Sequence, residues 1–242
     1  MTVTTLPTAR NTEERLAHIQ ELRQRVHRMQ GTATSHSLPT LAALSELIQL
    51  RTGASYAVDR PGLAMALMAG PSGAGSWSAV VGVSDFGLEA AAGFGVDLDR
   101  TVLVPAPGDA WLEVAAALID VLPVVVVRPP ARVTQHQAAR LSSRLRQRDA
   151  LLISVGDWPH AEGRLWVEES SWTGIGRGHG RLTGHRARVA VQLQTGQQRE
   201  AELWLPGEDL QPRAVNQWVD QRVDQQVDQQ VERSGPYAVR AG

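Results

Sequence analysis

The sequence predicts an α/β fold, a mainly parallel sheet with helices on both faces, extended at one edge by antiparallel strands. Three observations predict it. Residues 101–104, 124–127 and 151–155 are short apolar runs, one of them four consecutive valines, as expected of strands covered on both faces. Helical patterns fill the chain between those runs, which is the spacing of βαβ units. After Pro159 the apolar period falls to two, at 164–168, 187–193 and 200–205, the mark of strands with one wet face.

The elements follow in order. Asn11-Thr12-Glu13-Glu14 reads as a capping box opening a helix with Leu16, Ile19, Leu22, Val26 and Met29 on one side and Gly31 at its end. A Ser/Thr/Pro-rich linker, 32–39, leads to the body. There, 47–50 is an apolar run, 61–69 helix-like, 77–83 a strand candidate and 87–95 helical. Strand 101–104, a helix over 109–122, strand 124–127, an Arg-rich helix over 133–148 and strand 151–155 complete the alternation. The expected organisation is an N-terminal helix and linker over 1–37, a core over 38–211 and a polar tail over 212–242. The tail repeats Val-Asp-Gln-Arg/Gln from 219 to 230. At 100° per residue its valines fan across a helix surface and form no coiled-coil seam.

Composition narrows the function classes. The chain has 242 residues, 43% of them hydrophobic, and 24 basic against 25 acidic side chains, which leaves no global footprint for nucleic acid or an anionic membrane. It contains no Cys, excluding disulfides, thiolate metal sites and Cys nucleophiles. The first 15 residues lack a signal-peptide apolar core, and no apolar run reaches the roughly 18 residues of a membrane span. A cytoplasmic protein without membrane contact is expected. The seven His show no close pair at metal spacing, so no metal is expected, and no Gly-x-Ser-x-Gly elbow surrounds Ser72, Ser76 or Ser78.

The phrase Phe94-Gly95-Val96-Asp97-Leu98-Asp99-Arg100, with the strand after it and the helix around Trp111-Leu112-Glu113, resembles the RecA ATPase core. Residues 47–67 fall where that family has its first core strand, phosphate loop and next helix; 124–127 fall at its second nucleotide-binding strand. The resemblance spans roughly 41–195 and implies a RecA-like core. Within that superfamily the chain resembles the actinobacterial ImuA-type proteins. The phrases that carry this are Gly70-Pro71-Ser72-Gly73-Ala74-Gly75-Ser76-Trp77, Val104-Pro105-Ala106-Pro107-Gly108-Asp109, Val127-Arg128-Pro129-Pro130 and Gly176-Arg177-Gly178-His179-Gly180-Arg181-Leu182. The resemblance implies an accessory role in translesion synthesis and mutagenesis in the SOS response to DNA damage. The implied partners are an ImuB-type inactive relative of Y-family polymerases and an error-prone C-family DNA polymerase. Alternatives are a SulA-like cell-division inhibitor, whose family also has a RecA-like fold without nucleotide motifs, and a RecA-like protein with residual nucleotide or DNA binding.

A phosphate loop needs Gly-x-x-x-x-Gly-Lys-Ser/Thr, in which backbone amides and Lys hold the phosphates and the hydroxyl holds Mg²⁺. The corresponding stretch here runs from Gly53 to Gly62 and lacks the second Gly, the Lys and the hydroxyl. Asp59 reads as a helix cap and Pro61 as a first-turn residue, which sets an anion where phosphate would lie; Arg60 is the one cation nearby. Arg128 stands where the resemblance expects the Mg²⁺-supporting Asp, and Ser84, with Asp85 beside it, stands at or near the place of the acid after the strand at 80–81. The expectation is therefore a degenerate nucleotide site, no bound cofactor and no enzyme activity. The long loops that would hold DNA in a RecA filament are also missing, so direct DNA binding should be weak or absent.

Arg132, His136, Arg140, Arg144 and Arg148 recur every four residues. That stripe reads either as a face for DNA phosphates or an acidic partner, or as a solvated helix side. Residues 176–181 read as a phosphate-binding run or, more simply, as a glycine turn between antiparallel strands. Leu16, Ile19 and Val26 in the first helix, and Trp218, Val223 and Val227 in the tail, are candidate partner-binding residues, with packing on the core or simple solubilisation as the alternatives.

Overall fold

The structure is a computed structural model that describes residues 35–176, 179–207 and 211–215. Leu16, Ile19 and Val26 in the expected first helix, and Trp218, Val223 and Val227 in the tail, lie outside the described residues.

Nine strands form one sheet in the order β3-β2-β4-β5-β1-β6-β7-β8-β9. β1 (Ser55–Val58), β2 (Ser78–Val81), β3 (Thr101–Val104), β4 (Val124–Val127) and β5 (Leu151–Val155) run parallel, and β6 (Gly163–Gly176) starts parallel to β1. β7 (His179–Leu193), β8 (Gln198–Trp204) and β9 (Arg213–Ala214) continue antiparallel. This is the α/β class expected, with the antiparallel extension on the β1 side. β9 carries the sheet past 211, the expected end of the core.

The valines of β4 show why the runs are apolar throughout. Val124 and Val126 enter the core with α1 (Pro61–Gly73) and Ala91 of α2 (Leu88–Gly93). Val125 and Val127 face the opposite way, toward α3 (Trp111–Ile119) and α4 (Gln135–Arg148). α1 starts with Pro61 at its first turn and buries every residue from 63 to 69, so it has no polar stripe to present. α4 is amphipathic: Ala138, Leu141 and Leu145 are buried at helical spacing. Its start is fixed by a capping box, in which the Gln137 N–H donates to Thr134 Oγ1 at 3.2 Å and the Thr134 N–H donates to Gln137 Oε1 at 2.9 Å.

Two expectations are corrected. The apolar run at 47–50 is not the first core strand. Leu47, Ile48 and Leu50 are buried in the first core without joining the sheet, because a short apolar run signals burial and leaves backbone pairing open. The first strand is Ser55–Val58, whose register with β5 runs from Ser55 opposite Leu152 to Val58 opposite Val155. The hairpin of β6 and β7 is also much longer than its alternating segments suggest. Gly176 ends β6 and pairs with His179, the first residue of β7, so residues 176 and 179–181 of the glycine run belong to the two strands; residues 177 and 178 lie outside the described residues.

One crossover has no helix. Residues 156–162 return from the end of β5 to the start of β6, and Trp158, fully buried, packs with Ala57 of β1 in the second core. A single indole thus covers a strand face that helices cover elsewhere. Among the described residues no helix is long and apolar enough to cross a membrane.

Candidate functional site

Ligands of open α/β sheets bind beyond the carboxyl ends of the parallel strands. There the link from β1 to α1 consists of Asp59 and Arg60 alone. Arg60, in an extended conformation, is the N-cap residue of α1, and no side chain caps the helix. The expectation that Asp59 caps it is therefore corrected. The Asp59 carboxylate accepts from Arg60 Nη2 at 2.8 Å and from the Val167 N–H of β6 at 3.2 Å. This clip ties the end of β1 to β6 just past their last paired residues, Val58 and Leu165.

The residues present do not fit a nucleotide phosphate. A two-residue link supplies no run of free backbone N–H groups, and a carboxylate sits at its centre. Gly53 is not part of this place: it precedes β1, at the sheet's opposite end, where its N–H donates to the Ala150 carbonyl at 2.8 Å. Its place in a phosphate loop depends on 47–50 being the preceding strand, and that segment is not one.

Arg128 follows β4 as expected. Its guanidinium pairs with Asp85, the neighbour of exposed Ser84. The hydrogen bond from Arg128 holds the Asp85 carboxyl below the usual carboxylate range. In Arg128→Ala the Asp85 titration should move up toward the ordinary Asp value, as read from side-chain carboxyl NMR shifts. The sign follows from the depressed folded pKa: the pair stabilises the protein above the unfolded Asp value, and that contribution disappears as pH falls through the folded value.

Gly82 was not singled out from sequence. It has φ +75°, and a Cβ there would lie 2.6 Å from the Arg128 carbonyl oxygen. Glycine is needed for the end of β2 to approach the segment after β4 this closely. A Gly directly after a strand was the available signal.

The basic stripe divides in two. Arg144 Nη1 lies 2.8 Å from Asp120 Oδ2, and Arg148 Nε lies 3.1 Å from Asp120 Oδ1. Arg144 and Arg148 therefore tie α4 to the end of α3 and are not free cations, which corrects their place in the stripe. Arg132 and Arg140 are exposed and form no ion pair among the described residues. Sequence reasoning missed Arg51 and Arg146. Both line a cavity of about 590 Å³ at the amino ends of β1 and β5, together with Gly53, Asp149, His160 and Glu162. Among the described residues no cluster of three His, Asp or Glu could hold a metal ion.

A family model described as the MT3502 N-terminal domain matches residues 43–160. That range takes in β1 to β5, their helices and most of the crossover, Trp158 included, and it stops before β6. The chain is also similar to Rv3395c, an uncharacterized protein of Mycobacterium tuberculosis, with 40% identity over 105 residues. The match covers 43% of this chain and 52% of that protein, so the chain spans about half the length of the curated relative it matches.

Proposed function

We propose that this chain is a non-catalytic RecA-like accessory protein of damage-induced translesion synthesis. In this reading it acts in the cytoplasm by binding an ImuB-type inactive Y-family polymerase homologue, in an assembly with an error-prone C-family DNA polymerase. The non-catalytic half rests on one observation: where a phosphate loop would stand, Asp59 and Arg60 close on each other and on Val167. Desolvating a phosphate against that carboxylate is unfavourable, and no Lys or hydroxyl is at hand to compensate. The choice of assembly is supported by the ImuA-like phrases around Gly70, Val104 and Val127.

Two measurements test the two halves. Calorimetry with Mg-ATP should give no heat of binding at micromolar protein; micromolar affinity would overturn the non-catalytic half. Co-expression with an ImuB-type homologue should yield a complex that survives size exclusion. Capture of the tubulin-like division protein in its place would transfer the chain to the SulA-like reading.

A further inference from the structure

We propose that the outward face of α4, with Arg51 beside its C-terminal end, is a docking surface for an acidic segment of a partner protein. This deepens the reading of the chain as an interaction subunit and rests on it.

The first observation is how the guanidinium groups are distributed. The sequence contains no Lys, so every permanent side-chain cation is an Arg. Arg60, Arg100, Arg128, Arg144, Arg148, Arg164, Arg186 and Arg188 are ion-paired. Arg199 donates to the Glu46 carbonyl and Arg213 lies over the Trp204 ring. Arg51, Arg132, Arg140 and Arg146 are exposed, and among the described residues their side chains have no such partner. All four lie on α4 or at its ends. Among the described residues, internal pairing thus neutralises the other guanidinium groups and leaves these four free on one surface.

Helical geometry puts them together. Ala138, Leu141 and Leu145 face the sheet, and at 100° per residue the opposite side carries His136, Ala139, Arg140, Ser143 and Arg146. From Gln135 to Arg146 the helix rises about 16 Å at 1.5 Å per residue, with Arg132 three residues before its start. Between the cations stand exposed Ala139 and Ser143, small enough for a partner backbone to come close. At the C-terminal end Arg146 and Arg51 line the same cavity, with Ser55 and Ser142 in its wall. Gly53 permits this: with φ +74°, a Cβ there would sit 3.2 Å from Arg146 Cγ. The Arg146 stem can therefore lie against the chain that carries Arg51.

The surroundings favour a short acidic protein segment over nucleic acid. Asp149 and Glu162 line the cavity at one end of the run, and Asp157 lines the surface beside Arg132 at the other. Asp157 is already paired with Arg164, so it is Asp149 and Glu162 that bound the cationic stretch at its C-terminal end; a longer phosphate backbone would continue into them. Trp158, which lies beside Arg132, is fully buried, and no Phe or Tyr lines either surface among the described residues, so no exposed Phe, Tyr or Trp ring is offered for bases to stack on. Guanidinium groups take carboxylates in two parallel hydrogen bonds.

The test uses the full chain and two fluorescein-labelled probes, a 15-residue poly-glutamate peptide and a 15-nucleotide oligo-dT, followed by anisotropy at low and moderate salt. The wild type should bind the peptide more tightly than the oligonucleotide. Arg140→Glu with Arg146→Glu should weaken peptide binding at least tenfold, while Arg199→Glu with Arg213→Glu, an equal charge change at the far side of the sheet, should alter it less than twofold. The milder Arg140→Gln with Arg146→Gln pair guards against misfolding and should give an intermediate loss. Equal losses in the α4 and control pairs, tighter oligonucleotide binding through the same Arg side chains, or no peptide binding by the wild type would each overturn the proposal. Co-purification separates it from the functional reading. If the wild type and the α4 double variant capture the ImuB-type homologue equally, the surface proposal fails and the reading stands. If the wild type captures none while peptide binding still depends on α4, the reading fails and the surface stands.

Discussion

Trp158→Ala should destabilise the protein by about 3–5 kcal/mol, the range for removing a large aromatic side chain from a core. Trp158 is fully buried and packs with Ala57 of β1 in a crossover that has no helix of its own. With the indole gone, no neighbouring helix can move in, because α3 and α4 are packed over the other strands of that face. Domains of this kind are stable by only about 5–15 kcal/mol, so the variant should lose a large share of its margin. The urea midpoint should fall steeply with an unchanged slope. Trp158→Phe should lose much less. Nε1 of Trp158 is buried without a partner among the described residues, so Phe removes an unsatisfied donor along with part of the ring system. Equal midpoints for Trp158→Ala and wild type would show that the crossover does not cover β1.

Gly70→Ala is expected to cost about 3 kcal/mol, at the upper end for overpacking, although Gly to Ala within a helix normally stabilises by close to 1 kcal/mol. A Cβ at 70 would stand 2.4 Å from the Pro39 carbonyl oxygen and 2.9 Å from the Leu41 nitrogen, both backbone atoms. These cannot swing aside as a side chain end would. Gly73, in the same helix, has nothing within 4 Å of the added carbon, and Gly73→Ala should stabilise by a few tenths to about 1 kcal/mol. Thermal melts of the two variants should therefore shift in opposite directions. A rise in Tm for both would mean that residues 39–41 do not lie against α1.

The legible parts of the fold are those whose sequence signals are local. β4 and β5 are buried on both faces, so four valines or Leu-Leu-Ile-Ser-Val declare a strand without reference to anything distant. The start of α4 is likewise written in Thr134 and Gln137, three residues apart. β1 was missed because Ser55-Tyr56-Ala57-Val58 owes its strand conformation to β5 and β6, about a hundred residues downstream. That error then displaced Gly53 into the phosphate loop. At the candidate site, Arg128 could be read directly, since a strand end has a definite next residue. The pairing of Arg144 and Arg148 with Asp120 could not: the acid lies 24 and 28 residues from its partners, and helical periodicity says which side a residue takes but not what waits there. Arg51 and Arg146 likewise meet only because α4 ends beside the lead-in to β1.

The position of β1 in the sheet has a consequence for the order in which the chain can assemble. β2, β3 and β4 find one another within about 50 residues, so their loops close early. β1 is made before all of them, yet its neighbours on either side begin at Leu151 and Gly163. Closing loops of that length slows the gain of structure. On the ribosome, the earliest described strand must wait with both edges bare until about ninety residues have followed it. The segment ending at 160 that the family model matches would still leave one of those edges open, a place for strands of other chains to add.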